Sequence, residues 1–91
     1  MCTYQTEHIE VRASAKTPEG WTSMTNATVY FDHPVHLDAG HALMIDLLNP
    51  AIGPSTRAAF EMNPHSARAL ANAILKSLET IPDGLLGDLV S

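Results

Sequence analysis

Cysteine is almost absent from this sequence: Cys2 is the only one in 91 residues. An internal disulfide is therefore excluded, and the fold has to rest on packing. Basic residues are nearly as scarce. Five Lys and Arg stand against ten Asp and Glu, a net charge of −5. They are scattered at positions 12, 16, 57, 68 and 76, so no basic patch exists to neutralise phosphates and nucleic acid is not expected as a partner. Long apolar runs are missing too. None exceeds four or five residues, against the roughly 20 that span a bilayer, which argues against a membrane helix. No basic-then-apolar leader opens the chain, and a cytoplasmic protein is expected.

What is present is a globular composition, 45% hydrophobic and 16% charged, in a chain long enough for one modest core and hence one domain over residues 1–91. From about 4 to 15 the sequence alternates, with Ile9, Val11 and Ala13 on one side and His8, Glu10, Arg12 and Ser14 on the other. That period of two predicts a half-buried strand. Thr17-Pro18-Glu19-Gly20 supplies a turn. Ser23, Thr25 and Asn26 weaken the next segment and predict a bulge or break there, with firm strands over 27–33, 42–48 and 57–62.

Asn63-Pro64 reads as a helix start, Asn capping and Pro at the first helical position. Ala67, Leu70, Ala71, Ile74, Leu78 and Ile81 then recur at three- and four-residue spacing, predicting a helix over about 64–80. An apolar tail over 83–91 contains Leu85, Leu86, Leu89 and Val90. The fold class is α+β: a four-stranded antiparallel meander with one C-terminal helix across one face. One helix covers only one face, while Tyr30, Met44, Leu48 and Ala59 make the second face apolar enough to suggest another subunit or a small-molecule ligand. A homodimer is the expectation.

The densest polar stretch is Asp32-His33-Pro34-Val35-His36-Leu37-Asp38-Ala39-Gly40-His41, a loop joining the second and third strands. In an up-and-down meander the start of strand one, the end of strand two, the start of strand three, the end of strand four and the start of the helix share one edge. All five histidines, Cys2 and Glu61 fall at that edge. His33 and His41 have the parity of the core-facing residues, and His36 follows a proline that stiffens the loop. Three imidazoles suit Zn²⁺ with a fourth position open. Two of them with Asp32, Asp38 or Glu61 would match the donor set of non-haem iron. The alternative is that these histidines are structural, bonding to backbone carbonyls.

Cys2 is a separate candidate, because loss of Met1 would leave a terminal thiol beside an amine able to act as its base. Asp46, between apolar neighbours, would need Arg57 or Arg12 as a partner if buried. No nucleotide-binding motif is present, and no nucleotide cofactor is expected.

The opening Met1-Cys2-Thr3-Tyr4-Gln5-Thr6, the stretch from Tyr30 to His36 and the helix segment Ser66-Ala67-Arg68-Ala69-Leu70 resemble a group of small uncharacterised actinobacterial proteins, a domain of unknown function. The resemblance covers nearly the whole chain and implies a bacterial cytoplasmic setting. It carries over no catalytic residue.

Three functional readings follow. The first is a small metal-binding protein with His33, His36 and His41 as ligands and Asp32, Asp38 or Glu61 as a further ligand or outer partner, able to support a hydrolase, hydratase or isomerase step through metal-bound water. The second is a non-catalytic homodimeric module that binds a ligand or protein. The third is a metal-free enzyme with His33 or His41 as general base.

Overall fold

The structure is a computed structural model that describes residues 5–86. Four strands, β1 (Glu7–Thr17), β2 (Gly20–Asp32), β3 (Ala42–Leu48) and β4 (Arg57–Met62), precede the helix α1 (Pro64–Glu79) and a single helical turn α2 (Asp83–Leu86). The sheet order is β1-β2-β3-β4 with every pair antiparallel. This is the expected meander with a C-terminal helix. No helix among the described residues is long and apolar enough to cross a membrane. Cys2 and the end of the apolar tail lie outside the described residues.

The first hairpin is tight because Gly20 takes φ +110°, a left-handed value that a side chain would resist. The Thr17 hydroxyl donates to the Gly20 carbonyl at 2.9 Å and accepts from the Glu19 N–H at 3.2 Å, closing the turn. Beyond it β2 runs unbroken, so of the bulge or break expected around Ser23, Thr25 and Asn26 the break does not occur. Ser23 and Thr25 are exposed and alternate around Met24, which is fully buried, so their polarity matches a strand with one wet face. The irregularity sits across the ladder instead. Between Glu10 and Ala13 the register of β1 slips relative to Asn26 and Met24, a β-bulge in the edge strand.

Register assigns the two faces. Val29, Ile45 and Phe60 lie side by side, as do Phe31, Leu43 and Met62, and all of these but Phe60 line a cleft with α1 residues from Pro64 to Ile74. The opposite face carries Tyr30, Met44 and Glu61 in one row and Thr28, Asp46 and Ala59 in the next.

The helix begins as its sequence predicts. Asn63 accepts from the Ser66 N–H at 2.7 Å, with Pro64 just inside the first turn. Its packing differs from expectation: α1 has no buried residue. Leu70, Ile74 and Leu78 are 45%, 52% and 47% exposed, and Phe60 on the sheet below is 48% exposed. Only Asn63 separates α1 from the edge strand β4, which fixes the start of the helix without pressing its length onto the sheet. Helix and sheet therefore enclose an open apolar cleft of about 430 Å³. On β3 the buried residues are Ala42 and Met44, which point to the other face.

Candidate functional site

The loop between β2 and β3 is placed by one carboxylate. Glu61, near the end of β4, accepts from three consecutive backbone N–H groups, those of Val35, His36 and Leu37, at 2.5, 2.9 and 2.7 Å. Pro34 stiffens the approach to these amides, and Glu61 gathers donors that a loop would otherwise leave to water. The loop is thereby strapped onto the face opposite the helix, where Val35, His36 and Leu37 border a hollow with Tyr30, Met44 and Ala59. The amides, Leu37 first, hold the Glu61 carboxyl below its usual value.

This arrangement divides the histidines. At the loop's base the last paired residues are Asp32 and Ala42, so one further step of the register sets His33 opposite His41. Their ring centroids are 4.4 Å apart, tilted at 40°. His41 also stacks on Phe31, centroids 5.5 Å apart and planes within 13°, which joins the pair to the floor of the cleft. Asp32 accepts from the His33 N–H at 2.7 Å and lies 3.3 Å from its Nδ1. These contacts, the backbone bond first, lower the Asp32 carboxyl.

His36, expected to close over the other two, instead borders the hollow on the opposite face. A loop held at its midpoint by Glu61 and at its ends by the ladder keeps residue 36 across the sheet from residues 33 and 41. Asp38 is exposed in the same loop. His65 is exposed in the first turn of α1, and His8 pairs through Nδ1 with the Thr28 hydroxyl at 3.3 Å. Among the described residues no group of three or more His, Cys, Asp or Glu side chains is arranged to hold a metal ion.

A second polar cluster lies beside the hollow. The Tyr30 hydroxyl donates to Asp46 at 3.2 Å, and one Arg57 nitrogen reaches both Asp46 oxygens at 3.4 Å. The Asp46 side chain is 14% exposed, and Arg57 is one of the two partners its burial called for. Burial first, then the Asp46 charge, raise the Tyr30 phenol above 10.0. Glu61 as the loop's anchor was missed in the sequence, where it reads as one more possible ligand. The available signal was its cross-strand pairing with Met44, which aims it away from the helix.

Residues 1–87 match the model of DUF6295, a family of unknown function. No curated protein and no solved structure matches the chain.

Proposed function

We propose that the chain, which belongs to this family and takes no assigned chemistry from it, is a small non-catalytic binding module whose working surface is the apolar cleft beneath α1. The observation that carries this reading is a sixteen-residue amphipathic helix with no buried residue, set over a sheet face whose own apolar residues stay partly open. Contiguous apolar surface of this kind on a small domain marks a contact site. At about 430 Å³ the cleft falls within the range of ligand sites. A second copy of the chain and a small apolar molecule are the occupants it suits. The polar edge supports a structural role for the loop, since Asp32 and Glu61 both spend their carboxylates on backbone N–H groups.

The test combines sedimentation with titration of the dye 1-anilinonaphthalene-8-sulfonate, on the wild type and on Leu70→Glu. Self-association or saturable dye uptake, lost in the variant, is expected. Neither behaviour in a folded wild type would overturn the reading.

The His33–His41 pair favours a second reading, metal binding. Two imidazoles 4.4 Å apart across a hairpin base offer two nitrogen donors to Zn²⁺, and Asp32 would have to turn from the His33 N–H to complete the two-histidine, one-carboxylate set of non-haem iron. An open position on such an ion would support a hydrolase, hydratase or isomerase step. Without a metal, His33 or His41 would be left as a general base. Elemental analysis of protein purified without a histidine tag or chelator, beside the His33→Ala/His41→Ala variant, decides it. Near-stoichiometric metal lost in the variant supports this reading, and none after reconstitution with Zn²⁺ or Fe²⁺ refutes it.

A further inference from the structure

We infer that the occupant of the cleft is a second copy of this chain, two protomers closing their helix-side faces on each other, with folding and association coupled. The inference rests on the binding-module reading and names its partner.

The area argument comes first. The chain exposes 7160 Å², whereas a compact monomer of its mass exposes about 5,200 Å². Its radius of gyration is 15.0 Å, against about 12 Å for a compact domain of this length. The surplus, over the whole chain, is close to 2,000 Å², more than the about 800 Å² that a standard interface takes from each partner.

The core argument points the same way. Met24 is the one large side chain that is fully buried, and Ala27, Ala42 and Met44 complete the apolar core among the described residues. So thin a core offers little against the conformational entropy of ordering the chain. The helix side offers apolar contacts together: Leu70 and Ile74 on the helix line the cleft with Ile45 and Leu43 on the sheet, and Phe60, beside Ile45 in the register, is half-exposed on the same sheet face.

Charge does not oppose this partner. A chain of net charge −5 repels its own copies wherever acidic residues meet. The cleft residues include no acidic side chain, and Arg68 is the one charged group among them. The first turn of α1 is likewise free of acidic residues. Depletion of charge at the centre of a contact is the compositional mark of an interface. A patch that pairs with itself about a two-fold axis closes at two copies.

The full chain is tested by sedimentation across micromolar concentrations, by thermal unfolding over the same range, and by isotope-filtered NMR on mixed labelled and unlabelled protein. A dimer is expected, with a melting temperature that rises with concentration. Intermolecular contacts should join the Leu70 and Ile74 methyls to Leu43 and Ile45. Leu70→Ala, mild enough to fold, should weaken the dimer at least about tenfold. A monomeric wild type that takes up dye at the cleft would overturn the inference while leaving the module reading intact. A monomer that takes up none would overturn both. A dimer whose intermolecular contacts come from Tyr30 and Met44 would overturn the inference by moving the interface to the opposite face.

Discussion

Replacing Met44 with alanine tests how the loop is held. Met44 is 6% exposed, and it borders the hollow that the strapped loop shares with Tyr30 and Ala59. Truncating a buried Met costs about 2–5 kcal/mol, the spread depending on how far the surroundings can settle into the space left behind. With Val35, His36 and Leu37 fixed by the Glu61 carboxylate, the loop cannot drop into that space. The expected cost in the wild-type background is therefore about 3–4 kcal/mol. In a Glu61→Gln background the amides lose their charged acceptor, the loop settles, and the cost of Met44→Ala should fall to about 2 kcal/mol. Urea unfolding followed by far-ultraviolet circular dichroism, on the wild type and the three variants at one protein concentration, measures the cycle. Equal Met44→Ala costs in the two backgrounds, within about 0.5 kcal/mol, would show that the strap does not hold the loop over Met44.

Three further outcomes follow from the same geometry. Glu61 titrates below its ordinary value of 4.5 because its ionised form is the one the amides bind, so its contribution is complete above that value and is lost as pH falls through the lowered one. Hydrogen exchange at residues 35–37 should become less protected relative to the β2–β3 ladder on acidification, and unchanged relative protection would refute the assignment. Asp46→Asn should bring the Tyr30 phenol down towards 10.0 without fully restoring it, since burial, the largest cause of its elevation, remains. NMR titration of the Tyr30 ring reads this directly, and an unmoved phenol would sink it. Asn63→Ala removes the cap on Ser66 and should cost about 1 kcal/mol in urea unfolding, whereas Asn63→Ser should recover most of it.

The strands and the helix were legible because each leaves a local periodic mark. Alternation placed Val29 with Phe31 and Leu43 with Ile45, and Asn63-Pro64 announced the start of α1. Closeness of packing leaves no such mark. The stripe through Leu70, Ile74 and Leu78 reads the same whether it presses on its own sheet or awaits another surface, so the open cleft could not be foreseen. The bulge was expected in β2 for a related reason: Ser23, Thr25 and Asn26 lower strand propensity locally, but register is a property of two paired strands, and the extra residue lies in β1, opposite the step from Asn26 to Met24. At the loop, parity brought His33 and His41 to one face, and the 4.4 Å ring separation bears that out. The separation of His36 depends on Glu61, twenty-five residues away, a contact that no spacing within the loop encodes.

The kink in β1 has a consequence for what this protein avoids. Among the described residues the four-stranded sheet leaves the outer sides of β1 and β4 without a further strand, and a flat, regular outer strand is a template on which further chains can add without limit. The slip between Glu10 and Ala13 spoils the spacing of that template, and Glu7, Glu10, Arg12 and Lys16 give the strand a charged outline. Growth by strand addition, the route to filaments, is discouraged at β1. Attraction is left to a surface that can be satisfied once and then closed.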